Sequence, residues 1–413
     1  MSRIRWGNLI TVAGFVCVVF VSLGFVTSWT TVRAPPTTPS GATPVIINMN
    51  HQQQHKAQSP PPPPWKAATS PLVFDTLAPA PVDTLPPLSL SNATLGGWIQ
   101  ATYKKMVNEI QSDLSKKRRD HFNSLPLNTD NLIRKVQVWK NAPLSKPKIT
   151  CLTHTYSPKH RNAHDMWTNW GKDCTKHFVY TNQTTPIIDG PTVVDMNPLP
   201  GGFGYHNIWN KVRHIFIDLH KKGELNEGAA DWFFIAGDDV LLIVENLKKF
   251  LLSPEVMEPH AQRMPLLMGH RMAPAPNGGH FLSGAGYLLN DVAARLFMAN
   301  IDNPVCSPTT VSFAEDVYMS QCLAALGCPP RDTMDPYGED RIAIVSPYHL
   351  VEQTKNQAYM WWYAPWHRYR GRPMPTNNDA ISVDAFLFHY MSDNDLRQTR
   401  ATIYRKEENN FYG

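Results

Sequence analysis

The stretch Asp231-Trp-Phe-Phe-Ile-Ala-Gly-Asp-Asp-Val240 decides the fold. Trp232 to Ala236 is a short, wholly apolar run, the pattern of a strand buried on both faces of a parallel sheet. Two adjacent carboxylates, Asp238 and Asp239, follow at its C-terminal end. In open α/β sheets ligands bind outside that end. Carboxylates there can hold Mn²⁺ or Mg²⁺, which prefer oxygen and tolerate imidazole. Such an ion neutralises a departing diphosphate. Two acids after a strand also make an ordinary surface turn, so the motif has to be judged by its surroundings.

Working outward, Ile149 to Thr153, Phe178 to Tyr180 and Thr192 to Asp195 read as further strands. Tyr205 to Lys222 reads as a helix, with Ile208, Trp209, Val212, Ile215, Phe216 and Leu219 on one face and Gly223 as its stop. Strands alternating with helices predict an α/β domain, a mostly parallel sheet flanked by helices. Ser283 to Gly286 reads as tight, glycine-rich backbone leading into an apolar helix. Gly284 and Gly286 would let a sugar lie against the chain. The spacing of a phosphate-cradling P-loop is absent. Glu315 and Asp316 precede a helix-like stretch, Val317 to Leu326, where acids also serve as N-terminal caps.

The N-terminal third reads differently. Leu9 to Trp29 carries no charge, and its length suffices to cross about 30 Å of hydrocarbon. Arg3 and Arg5 precede it, so residues 1–8 are expected to be a cytosolic tail and 9–29 a signal-anchor, with a cleaved signal as the alternative. Everything beyond is then lumenal or outside. Residues 30–95 hold much of the chain's 36 prolines, including Pro60 to Pro64. They read as an extended stem, because such a composition buries no core. Residues 96–145 read as a helical stem with Ile99, Tyr103, Met106, Val107, Ile110 and Leu114 on one stripe, ending at Lys116-Lys117-Arg118-Arg119. The globular domain is expected over 146–395 and a C-terminal tail over 396–413. Asn92 and Asn182 stand in N-x-S/T sequons, usable as glycosylation sites only in the secretory pathway. The net charge of +5 over 413 residues, with no basic patch to match, gives no ground for a nucleic-acid partner.

Across residues 146 to 395 the chain resembles the β1,3-glycosyltransferase family of fringe and core 1 β1,3-galactosyltransferase, most closely the latter branch. Several segments carry the resemblance in register. They are Cys151 with Arg161, Trp167 and Cys174; Asp231-Trp232 through Asp239; Phe281-Leu-Ser-Gly-Ala-Gly-Tyr-Leu-Leu289; and Glu315-Asp316-Val317 between Cys306 and Cys322. A C-terminal run adds Arg331-Asp332-Thr333, His349-Leu350, Trp361-Trp362-Tyr363 and Phe388-His389-Tyr390. Two departures stand out: Gly237 replaces the first of the family's three acids, and Ser320 stands where relatives usually have glycine.

The resemblance implies a GT-A-type nucleotide-sugar-binding domain that inverts at the anomeric carbon and depends on Mn²⁺ (or Mg²⁺). Asp239 and His349 are then the expected metal ligands, with His389 a weaker candidate that reads first as a core histidine beside Phe386 and Phe388. Asp238, Asp239 and Arg161 are placed on the UDP-sugar donor. Trp361, Trp362, Tyr363, Gly284 and Gly286 are placed on the acceptor. Inversion needs a carboxylate within reach of the acceptor hydroxyl; Asp316 is the candidate base, with Glu315 the open alternative. Disulfides are expected between Cys151 and Cys174 and between Cys306 and Cys322. Cys328 is left as a buried thiol or a bridge to a second copy, which keeps a homodimer open. The implied reaction moves galactose from UDP-galactose to O-linked GalNAc on a glycoprotein acceptor, in the Golgi lumen behind a single membrane anchor. UDP-GlcNAc and UDP-glucose remain alternative donors. A non-catalytic lumenal chaperone or binding protein on the same fold is the rival reading.

Overall fold

The structure is a computed structural model that describes residues 113–140, 143, 145–155, 160–182, 190–273, 279–356 and 377–405. The chain divides into two units, and these residues belong to the one spanning Ala67–Gly413. The cytosolic tail, the signal-anchor, the Pro-rich stem with Asn92, and Trp361, Trp362 and Tyr363 lie outside the described residues. Within the described residues no helix is long and apolar enough to cross a membrane.

In chain order the elements are α1 (Asp113–Ser124), α2 (Thr129–Lys135), β1 (Ile149–His154), α3 (His160–Asn169), β2 (Lys176–Thr181) and β3 (Thr192–Asp195). Then come α4 (Ile208–Lys221), β4 (Trp232–Ala236), β5 (Leu241–Leu242), α5 (Val244–Leu251), α6 (Pro254–Ala261), β6 (Leu267–Met272) and β7 (Phe281–Asn290). The last are α7 (Asp291–Ala299), α8 (Glu315–Ala325), β8 (Arg331–Asp332), β9 (Ile342–Ala343), α9 (Pro347–Asn356), β10 (Leu387–Phe388) and α10 (Asp393–Ile403).

A 7-stranded sheet runs β3-β2-β1-β4-β7-β6-β8. The half from β3 to β4 is parallel, and β7 then joins β4 antiparallel. The mostly parallel expectation therefore holds with one reversed strand at its middle. The side chains of β4 alternate between two cores, as the two-residue period of a strand requires. Trp232, Phe234 and Ala236 enter one apolar cluster with α2 and β10. Phe233 and Ile235 enter the other, with α4, α7 and α8. Both faces are covered, which is why the strand reads as continuously apolar.

The strand and helix expectations at 149–153, 178–180, 192–195, 232–236 and 205–222 are met within a few residues. Gly223 takes φ +72° just past α4, a left-handed helix stop that costs glycine nothing. The stretch after Gly286 is a correction: it continues β7 to Asn290, and the helix starts only at Asp291. Asn290 fixes that switch by accepting from the Ala293 N–H as an N-cap.

The boundaries at 146 and 395 also move. Leu132, Ile133, Val136 and Val138 are buried in the same cluster as Trp232 and Phe234. Residues from Asp113 on are thus part of the folded domain rather than a separate stem. Lys135 Nζ, wholly buried, meets Glu339 Oε2 at 2.9 Å and donates to Asn123 Oδ1 and the Asn378 carbonyl. At the other end, α10 buries Leu396, Thr399 and Ile403, carrying the domain past residue 395. Both expected disulfides are present, Cys151–Cys174 and Cys306–Cys322, and Cys328 is a buried free thiol.

Candidate active site

Four chain segments meet at the carboxyl edge of the parallel strands. The first is the turn after β4. Asp238 Oδ2 accepts from Thr155 Oγ1 at 2.6 Å, just beyond β1. The Asp238 carbonyl receives Asn162 Nδ2 from α3 at 3.4 Å. Arg161 is the neighbouring residue on α3, and its side chain lies outside the described residues. Gly237 has its own packing logic: a Cβ there would stand 3.2 Å from Asp239 Oδ1 and 3.8 Å from His154 Cε1. Burial, followed by Lys211, pushes the His154 imidazole down to about 3, against the pull of Asp239. It is therefore neutral at physiological pH.

The second segment is the end of β10, and here the sequence reading needs correction. Leu387 and Phe388 pair antiparallel with Leu242 and Leu241, two residues beyond Asp239. That register carries His389 back alongside the acid, and the Met391 N–H donates to the Asp239 carbonyl at 2.9 Å. His389 Nε2 consequently lies 3.5 Å from Asp239 Oδ1. His349 instead sits near the start of α9, with Nδ1 3.2 Å from Ser346 Oγ. His389, the weaker ligand candidate of the sequence reading, thus lies beside the acid.

An imidazole nitrogen and a carboxylate oxygen at that separation approach the edge of an octahedral shell with ~2.1 Å bonds. Among the described residues no group of three or more His, Cys, Asp or Glu side chains is arranged to hold a metal ion. The Asp239–His389 pair offers one oxygen and one nitrogen donor.

The third segment is the N-terminus of α8. Glu315 is buried, and Asp316 beside it accepts from the Val317 N–H through Oδ1 at 2.8 Å. Both acids lie over β7: a Cβ on Gly284 would stand 3.2 Å from Asp316 Oδ2 and 3.6 Å from Glu315 Oε1. The Gly284 N–H also donates to Asp316. Gly284, expected at the acceptor, lies against these two acids. Gly286 does not: it is buried at φ +133°, where a Cβ would meet Leu387 and Phe234 at 3.0–3.1 Å. Its role is to let β7 pack against β10.

Burial raises Glu315 well above the usual carboxylate range, and the neighbouring Asp316 charge adds to the rise. Burial also raises Asp316, from 3.8 to about 6, against the Val317 and Gly284 N–H groups. Burial therefore lifts both carboxyls of the adjacent pair in the same direction.

Much of the surrounding structure fixes α8. Cys306–Cys322 ties the preceding loop to the helix. Trp209 of α4 anchors the same loop, with its N–H on the Ser312 carbonyl at 2.9 Å and its indole N–H on the Ser307 carbonyl at 3.1 Å. Ser320 Oγ donates to the Asp316 carbonyl at 2.6 Å and accepts from the Leu282 N–H at 3.0 Å. The unusual serine is thus a bridge between the acid-bearing helix turn and β7.

The fourth segment is the turn before α4, which presents Tyr205. Burial raises its phenol, followed by the charges of Glu315, Asp316 and Asp239. Tyr390, next to His389, is raised by burial and then by the same group of neighbours, Tyr205 included. Neither tyrosine was singled out from the sequence as a binding residue. Asn182, the remaining sequon, follows β2 and is half-buried, while the rest of its sequon lies outside the described residues.

An α/β domain with paired acids at the carboxyl edge of its sheet is the class that fold and site define. No protein-family model matches the chain. It is similar to a Xenopus laevis protein, glycoprotein-N-acetylgalactosamine 3-beta-galactosyltransferase 1, at 28% identity over 203 residues. That alignment covers 49% of this chain and 52% of the relative, so the chain spans about half the length of the curated relative it matches. This agrees with the resemblance read from the motifs. Among solved structures, a glycosyltransferase involved in the glycosylation of the major capsid of PBCV-1 overlaps 62% of this chain and 98% of its own. Its identity is 12% and its TM-score 0.31, a likeness too slight to carry an argument.

Proposed function

We propose that this protein is an inverting, metal-dependent β1,3-glycosyltransferase that moves galactose from UDP-galactose to O-linked GalNAc on glycoproteins. The observation that carries the reading is Asp239 beside His389 on the sheet edge that also bears Asp316. The curated relative's name supports the sugar pair, and UDP-GlcNAc and UDP-glucose are rival donors because fold and metal site do not select the sugar.

Asp239 and His389 would hold Mn²⁺ or Mg²⁺, with Asp238 and Arg161 toward the nucleotide. When bound, the ion supplies positive charge to the leaving diphosphate. Asp316 accepts the proton of the acceptor hydroxyl as that oxygen bonds to the anomeric carbon. The bond from that carbon to the diphosphate oxygen breaks, and UDP leaves with the electron pair. An ionised base with a value near 6 is matched to this task at neutral pH.

The uncharged run at 9–29, the Pro-rich stem and the disulfides support a type II anchor with the domain in the Golgi lumen, where the glycoprotein acceptor would be met. The buried free Cys328 lends no support to a disulfide-linked homodimer. The rival reading, a binding protein without activity, is favoured only by Gly237.

The test is UDP release by the full-length protein from a panel of UDP-sugars with a GalNAc-α-peptide, in Mn²⁺ or EDTA. Metal-dependent turnover of UDP-galactose supports the reading. Absence of turnover across all donors, together with no heat stabilisation by Mn²⁺ and UDP, hands it to the binding protein.

A further inference from the structure

Three tyrosines stand among the exposed large apolar side chains of the described residues: Tyr205 at 73%, Tyr337 at 51% and Tyr390 at 46%. Tyr337 has an occupant, because the Arg119 guanidinium lies 4.2 Å over its ring. The other two present open aromatic surface, and both stand at the acids. Exposed apolar surface gathered at one functional edge marks a binding site.

Tyr205 does not stand alone. Its ring stacks on Phe313 with centroids 5.6 Å apart and planes 14° off parallel. The pair forms a flat wall at the entrance to α8, two residues before Glu315. Its mounting is firm. Asn207, wholly buried, donates through Nδ2 to the Pro200 and Gly202 carbonyls and so fixes the turn beneath Tyr205. Gly201 and Gly202 take φ +81° and +76° in that turn, where L side chains are strained. Phe313 follows Ser312, whose carbonyl is held by the Trp209 N–H.

Tyr390 joins from β10. It stacks on His389 at 3.9 Å and adopts φ +53°, a left-handed backbone uncommon for a bulky side chain. Such outliers persist where the surroundings over-determine them, and they concentrate at ligand clamps. Asp239, Glu315 and Asp316 lie within electrostatic reach of both phenols.

We propose that the Tyr205–Phe313 wall and Tyr390 form the binding slot for the acceptor's pyranose ring, with the ring's C–H face on the aromatics and a hydroxyl edge toward Asp316. The chemistry selects a sugar over other ligands. A pyranose has one apolar face and a rim of hydroxyl donors, and this edge pairs aromatic surface with carboxylate acceptors. A nucleobase would also stack, but it brings no hydroxyl for Asp316. A phosphate would be repelled by the acids.

The slot rests on the transferase reading, and two measurements on the full-length protein separate the two. In steady-state kinetics with UDP-galactose and a GalNAc-α-peptide, Tyr205→Ala and Phe313→Ala raise acceptor KM about tenfold, equivalent to 1.4 kcal/mol. Donor KM stays within about twofold. Tyr205→Phe keeps the ring and recovers most of the loss. An unchanged acceptor KM, a parallel rise in donor KM, or a Phe variant as impaired as the Ala variant would overturn the slot. The second measurement is saturation transfer from protein to methyl α-N-acetylgalactosaminide, observed by NMR without donor. Transfer to the ring protons of the wild type that is lost in Tyr205→Ala sustains the slot even if no UDP-sugar turns over. No transfer to this glycoside from the wild type removes it.

Discussion

Two buried acidic centres of this domain receive opposite treatment. Glu339 is closed in by Lys135 at 2.9 Å, by Arg119 at 2.9 Å and by the Asn123 amide at 2.8 Å. Glu315, buried, and Asp316, half-buried, have backbone N–H donors instead, with only the more distant charges of Lys211 and His389 favouring their ionised forms. Removing a charge from water costs several kcal/mol unless a partner compensates. The first centre therefore binds the N-terminal helices to the body of the domain, while the second retains unmet electrostatic demand at an open edge. Compensated acids hold architecture together; uncompensated ones are available to a substrate.

The sharpest break of this comparison is Asp316→Asn. We expect kcat to fall by at least ~10²-fold, as loss of a general base does, while thermal stability at pH 7 rises by about 2–4 °C. The sign follows from where the proton sits. Asp316 holds its proton more tightly folded, near 6, than in the ordinary range at 3.8. Its contribution to stability is full below about 4 and is lost as pH rises through 6. The gain from Asn should therefore vanish in melts at pH 4. A fall in stability at pH 7 would break the contrast.

Glu339→Ala should act the other way, leaving Lys135 buried with a charge and no counter-charge at 2.9 Å. A loss of about 3–5 kcal/mol in denaturant unfolding is expected. A loss below about 1 kcal/mol would show that the pair does not secure the N-terminal helices.

His389→Ala and His349→Ala sharpen the picture at the open centre. The first should weaken Mn²⁺ binding, read by calorimetry with UDP present, by about 10- to 100-fold. The second should leave it within about twofold, because His349 faces Ser346. A reversed order would return the ligand role to the sequence's first choice. In the pH profile of kcat/KM, the acidic limb should fall near 6 in the wild type, set by Asp316. The smallest effect is reserved for Ser320→Gly. It removes the bridge from the Asp316 carbonyl to the Leu282 N–H and should cost about 0.5–1.5 kcal/mol of stability. It should also lower kcat a few-fold while leaving acceptor KM nearly unchanged.

Much of this was legible in the chain because the signals are local. A continuously apolar pentapeptide, Trp232 to Ala236, has few stable fates other than a strand covered on both faces. One stripe through Ile208, Val212 and Leu219 leaves a helix with one side to bury. The adjacent acids at 238–239 and 315–316 took their meaning from the segments around them, and the disulfide pairing followed from the family resemblance. The strand, the helix stripe and the acid pairs are each decided by residues within about a dozen positions of one another.

What only the tertiary structure decided depends on pairing across long intervals of chain. His389 reaches Asp239 because a two-residue strand, Leu387–Phe388, takes its antiparallel register from Leu241–Leu242. No local period encodes that choice. Gly286 reads from the sequence as open backbone and becomes buried, because Leu387 arrives from a hundred residues further on. Asp316 and Glu315 become raised carboxyls only when α8 is laid over Gly284, since burial comes from that packing. Composition and period fix what each segment must bury; which charges are left facing one another is settled only when the segments meet.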